Sequence, residues 1–167
     1  MITAMGEIIL SIVAFALFMY IVIHDYNTRK NKESHESWLS DCKDCLHSIE
    51  SEFYLKCKTL TDKYLADYSS RVYHCSHNDK YVRKFHTDMM INASKDYLSE
   101  IDELKKEYID DMFDKAVKRM GKYRLKSIPS HLEQEYERNI SKIADAFHDI
   151  DSSIRTQIWE IRDNQNY

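Results

Sequence analysis

The chain carries two kinds of hydrophobic pattern, one without period and one with the period of a helix. From Ile8 to Ile23 it reads IILSIVAFALFMYIVI, sixteen residues without a charge and apolar on every helical face. A helix with no polar side has nothing to turn toward water. The run therefore predicts a single N-terminal transmembrane helix within residues 1–24. At 1.5 Å per residue it covers about 24 Å, so Met5 and Gly6 are expected to join it in reaching across a hydrocarbon layer of roughly 30 Å.

Beyond residue 33 apolar positions return every three or four residues, the spacing of one helical face. A first stripe runs through Leu39, Cys42, Leu46, Ile49, Phe53 and Cys57, then Leu60, Tyr64, Tyr68 and Val72, predicting a helix over 33–73. The polar residues from His74 to Asp79 interrupt it. The stripe resumes at Val82, Phe85, Met89, Ala93 and Tyr97, continues through Ile101, Leu104, Tyr108, Met112 and Ala116, and predicts a second helix over 80–120 ending at Gly121. After Pro129, Ser130-His131-Leu132-Glu133 has the Ser-x-x-Glu spacing of a capping box. It opens a third helix over 131–163, where Tyr136, Ile140, Ile143, Phe147, Ile150, Ile154 and Ile161 follow a nearly strict heptad, with Ile158 just off the seam.

The fold class expected is all-α: one transmembrane helix, then a long antiparallel three-helix bundle or coiled coil. Domain by domain, the chain reads as an anchor (1–24), a basic juxtamembrane segment (25–32), a helical bundle (33–163) and a short tail (164–167). The third helix packs within the chain or pairs with its counterpart in another copy; both arrangements fit the pattern.

Composition narrows the functions. Two glycines and one proline in 167 residues are too few for sheets, tight turns or phosphate-binding loops. A formal net charge of −4 gives no general affinity for nucleic acid. Four cysteines (Cys42, Cys45, Cys57, Cys75) sit on or near the apolar stripes and read as reduced, partly buried thiols rather than a disulfide framework. A cleaved signal peptide would want basic residues before the apolar run and small residues after it, whereas the flanks here are MITAMGE and HDYN. The anchor is therefore expected to be uncleaved. No Lys or Arg precedes the run while Arg29, Lys30 and Lys32 follow it, so the N-terminus is expected outside and the bundle in the cytoplasm. The triplets Asn92-Ala-Ser94 and Asn139-Ile-Ser141 match glycosylation acceptors and would matter only for the opposite orientation.

Candidate chemistry is sparse. His74, Cys75 and His77 form a weak metal candidate at the turn. Cys42 and Cys45 stand about thirty helical residues away, roughly 45 Å, too far to share an ion with them. Asp44-x-x-His47 and Asp145-x-x-His148 have the acidic-x-x-His spacing of di-metal bundles, but their heptad positions face outward. No nucleophile motif or glycine-rich phosphate nest is present in the sequence, so no catalytic residue, cofactor or resident metal is expected.

Two charge features remain. Lys115, Lys118, Arg119, Lys122, Arg124 and Lys126 place six basic residues in twelve with no acid among them. If the first two long helices are antiparallel, this segment returns beside Arg29, Lys30 and Lys32, and both clusters are expected to touch anionic lipid headgroups. The preceding half of the second helix is acidic, with Asp96, Glu100, Asp102, Glu103, Glu107, Asp110, Asp111 and Asp114, a face suited to solubility or to a basic partner. The expected function is a membrane-tethered, non-enzymatic interaction or scaffold protein whose bundle meets a protein partner or another copy. The rival readings are an extracytoplasmic coiled-coil envelope or lysis factor of opposite orientation, and a metal- or redox-responsive sensor at the turn.

Overall fold

The computed structural model describes residues 2–77, 80–121 and 127–163, with side chains from Phe15 onward apart from that of His77. Four helices are described, α1 (Ile2–His77), α2 (Lys80–Asp110), α3 (Met112–Met120) and α4 (Ser130–Asp163), with no strand among the described residues. The chain divides into two compact units, Met1–Lys43 and Asp44–Tyr167.

The first unit overturns the expected anchor. Among the described residues no helix is long and apolar enough to cross a membrane. The first part of the Ile8–Ile23 run, through Ala14, falls outside the described side chains. The described part, Phe15–Ile23, covers only about 14 Å of helix before His24 and Asp25, and residues 25–32 continue α1 without a break. The transmembrane, signal-anchor and single-pass readings are corrected accordingly. With no span among the described residues to orient, the Lys/Arg count no longer places the N-terminus outside or the bundle in the cytoplasm. Local pairs hold this stretch of helix: Arg29 with Asp25 at 3.0 Å, Lys32 with Glu36 at 3.9 Å, and Thr28 Oγ1 donating to the His24 carbonyl.

In the second unit α1, α2 and α4 share one core. Pairs between α1 and α2 run in opposite senses, Phe53 with Tyr108 and Tyr64 with Tyr97. Those between α1 and α4 run in the same sense, Tyr54 with Phe147, Tyr64 with Asp151 and Tyr68 with Gln157. The helices are thus arranged up, down and up. The core repeats every eleven residues rather than every seven: Phe53, Tyr64 and Cys75 on α1, Met90, Ile101 and Met112 across α2 and α3, and Tyr136, Phe147 and Ile158 on α4 are all buried. Eleven residues in three turns follow a nearly straight helix, whereas a heptad demands left-handed supercoiling. The expected heptad on α4 accordingly slips: Ile150 is exposed, Asp151 is buried, and Ile158 rather than Ile161 closes the stripe. The start of α2 slips in the same way, with Thr87, Met90 and Ser94 buried where Phe85, Met89 and Ala93 were expected.

Two helix ends explain how the chain turns. Gly121 takes φ +77°, a conformation L side chains rarely adopt, directly after α3. At the other end of the connection the Pro129 carbonyl accepts from the Leu132 and Glu133 amides at 2.9 and 3.1 Å, so Pro129 occupies the cap and Ser130 is already helical. The expected capping box is therefore one residue out of register.

Candidate functional site

Four tyrosines, Tyr64, Tyr97, Tyr108 and Tyr136, are buried in the helical core, and a buried hydroxyl needs a partner. Two polar nodes supply it. In the first, Asp151, nearly fully buried, accepts from Tyr64 Oη at 2.9 Å and Ser94 Oγ at 2.8 Å through Oδ1, while Oδ2 meets Arg155 Nε at 2.6 Å. One carboxylate thereby joins α1, α2 and α4. Beside it Tyr64 and Tyr97 stack with ring centres 4.6 Å apart, and Tyr97 Oη lies 2.8 Å from Thr61 Oγ1. Burial first, and then the bond to Asp151, pushes the Tyr64 hydroxyl well above its ordinary range.

The second node surrounds Tyr108. Its hydroxyl donates to Glu52 Oε1 at 2.6 Å, and this bond is the main reason the Glu52 carboxyl lies below its usual range. Arg119 pairs with Glu52 and donates to Ser48. Lys115 Nζ meets Glu107 at 2.8 Å and lies 4.4 Å from the Tyr108 ring centre, a cation–π contact. The break between α2 and α3 at Asp111 accompanies this arrangement. Tyr136 Oη donates at 2.8 Å to the Tyr108 carbonyl, whose partner in an unbroken helix would be the Met112 amide.

These contacts decide the standing of the basic cluster. Lys115 and Arg119 turn onto the bundle and pair with Glu107 and Glu52, whereas Lys118 is exposed. Lys122, Arg124 and Lys126 lie outside the described residues. Arg29, Lys30 and Lys32 belong to the first unit and the other cluster to the second.

The turn candidate is only partly described. Cys75 is buried and donates to the Arg83 carbonyl at 3.7 Å, and the His74 ring stacks on His86 with centres 4.8 Å apart and planes within 10°. The His77 side chain and residues 78 and 79 lie outside the described residues. Desolvation, and then the neighbouring His74, lowers the His86 pKa. Among the described residues no group of three or more His, Cys, Asp or Glu side chains is placed to hold a metal ion. Burial pushes the Cys45, Cys57 and Cys75 thiols upward, Cys57 to about 12, and Cys45 donates to the Ala116 carbonyl. Thiols held protonated in this way are poor nucleophiles. His47 sits 3.5 Å from Glu50 and His148 lies 3.2 Å from Asp102, both pairs outside the core.

The surface feature that sequence reasoning missed is a groove between α1 and α2. Its larger part, about 580 Å³, is lined by Leu55, Leu60 and Leu104 and by Glu52, Glu100, Glu103 and Glu107, with Lys56 and Thr59 also on the α1 side. A smaller part of about 190 Å³ shares Leu60 and Glu100 and continues past Tyr64 and Tyr97 to Asp67 and Ala93. Leu55 is 60 % exposed, an apolar side chain held open to water. The available signal was Leu55 itself, which stands off the α1 stripe, opposite the acidic run of α2.

Comparison with known proteins finds no matching family model, curated protein or solved structure.

Proposed function

We propose that this chain is a non-enzymatic interaction module whose working surface is the groove between α1 and α2, which receives a helical segment of a partner protein. The observation that carries the reading is the groove's makeup, leucines including the open Leu55 beside an α2 face of Asp96, Glu100, Glu103 and Glu107, with mixed charges, Glu52, Lys56, Lys63 and Asp67, on the α1 side. From Glu52 to Asp67 the α1 side spans sixteen residues, about 22 Å from first to last, the length of a helix of about four turns. Amphipathic helices seat in grooves of this kind through apolar anchors at i, i+3, i+4 and i+7. Covering the exposed part of Leu55 is worth about 1–2 kcal/mol, and Leu60 and Leu104 add to it.

The titratable groups support a role in recognition rather than catalysis. Glu52, Glu107, Tyr64, Tyr97 and Tyr108 all depart from their ordinary pKa ranges, and each is committed to a hydrogen bond or ion pair that joins helices or braces one. Perturbed groups of this kind stabilise a scaffold.

The test is the Leu55→Asp variant of the full chain, titrated with a leucine-rich amphipathic helical peptide of about four turns. Because Leu55 is exposed, the thermal midpoint is expected to stay put while peptide affinity falls at least about tenfold. Unchanged affinity would overturn the assignment of the groove.

A further inference from the structure

The rim of the groove is not uniform. At one end Glu52 and Glu107 are already met by cations of the same chain: Arg119 and Lys56 approach Glu52, and Lys115 approaches Glu107. Along the rest of the rim stand Asp96, Glu100 and Glu103, and among the described residues none of these three has a cation within ion-pairing distance. They occupy consecutive positions of one exposed α2 face, at intervals of three and four residues, so their charges add toward the same strip of solvent. Like charges at this spacing repel, and the repulsion is relieved by cations arriving from outside.

The chain itself displays the chemistry that suits this rim. α3 meets Glu52 and Glu107 with Arg119 and Lys115, four residues apart on one helix face, and Val117 and Met120 lie on the same short helix. Two cations spaced four apart on a short helix therefore already meet one end of the acidic rim. The rest of the rim presents Asp96, Glu100 and Glu103 along α2 beside Leu60 and Leu104, with Lys63 on the α1 side.

Resting on the groove reading above, we infer that the partner segment is a basic amphipathic helix, with leucine-like side chains on the floor and Lys or Arg spaced three or four apart against Asp96, Glu100 and Glu103. The acidic rim selects for charge while the leucines supply the contact. An acidic or neutral amphipathic helix of equal length meets the same floor and is turned away, or held weakly, by the rim.

The experiment measures full-chain binding by fluorescence anisotropy at about 0.15 M salt, where charges beyond about 8 Å are screened. The probes are three synthetic helical peptides with identical leucines and with lysine, glutamine or glutamate on the flanking positions. The lysine peptide is expected to bind about tenfold tighter than the glutamine peptide and about a hundredfold tighter than the glutamate one. Glu100→Lys combined with Glu103→Lys should invert the order of the lysine and glutamate peptides. A control with the same change of net charge, Glu133→Lys with Glu137→Lys on the exposed face of α4, should leave the order intact. Equal affinity for all three peptides, lost in Leu55→Asp, overturns the basic partner and keeps the groove. Binding that Leu55→Asp does not weaken overturns both. Inversion by the α4 control as well as by the rim variant overturns the rim as the source of selectivity.

Discussion

Phe18 and Phe53 lie on the same helix, yet Phe18 is 62 % exposed and Phe53 is fully buried. Around Phe18 every neighbour from Phe15 to Ile23 is apolar, so no direction about the helix axis is preferred and all the large side chains face solvent. Around Phe53 the apolar residues are outnumbered, but Cys42, Ile49, Phe53, Cys57 and Tyr64 fall on one face and are buried. The difference teaches that periodicity, rather than hydrophobic content, decides what this chain covers for itself. A stripe can be sealed by two other stripes; a helix apolar on every side leaves most of its surface open to such packing.

Substitution at the two phenylalanines puts that contrast to its hardest test. Phe53→Ala should destabilise the Asp44–Tyr167 unit by about 3–5 kcal/mol. Phe18→Ala should leave the same urea midpoint unchanged, and equal losses would show that the first unit is buried after all. Next comes the polar layer. Asp151→Ala strands the Tyr64 and Ser94 hydroxyls in the core and is expected to cost about 3 kcal/mol in chemical denaturation. The register on α4 gives a smaller contrast: Ile158→Ala should cost about 2–3 kcal/mol and Ile150→Ala under about 1 kcal/mol. The reverse order would restore the heptad.

Titration sharpens the comparison at finer scale, since the tyrosines in question all belong to the second unit. Burial raises the hydroxyl pKa of Tyr64, Tyr108 and Tyr136 in the folded state. Stability from a raised pKa is complete below the ordinary value of about 10 and drains away as pH climbs above it. Each tyrosine that ionises on unfolding should remove about 1.4 kcal/mol per pH unit there. Tyr64→Phe should make the alkaline limb shallower; an unchanged slope would contradict the assignment. Glu52 works with the opposite sign, because its folded pKa is depressed: its contribution is present at neutral pH and is lost as pH falls below about 4.5. Tyr108→Phe, which removes the main cause of that depression, should reduce this acid loss.

How far the sequence carried the account follows from the same physics. Helical content and the α1 stripe from Cys42 to Tyr64 were legible because three- and four-residue spacing has one reading. The anchor reading followed apolarity without period, whereas among the described residues no helix is long and apolar enough to cross a membrane. The slips at Ile150 and Phe85 arose from following the most hydrophobic residue at each turn, whereas Asp151, Ser94 and Thr87 hold the core positions. Asp151 is buried with hydroxyls arriving from Tyr64 and Ser94 on two other helices, which no single-helix pattern contains. Tyrosines on the stripes carry hydroxyls that need acceptors once buried, and only the fold shows that Asp151 is one. The groove was illegible for the same reason: Leu55 reads as a stray leucine until α2 sets its acidic face beside it.

The claim that this groove is the working surface is tested most directly by hydrogen exchange across the full chain, with and without the lysine-flanked amphipathic peptide. The account predicts added protection confined to residues 52–67 of α1 and 93–107 of α2, with α4 unchanged. Protection centred on α4 or on residues 15–26, or none at any saturating peptide concentration, would contradict it.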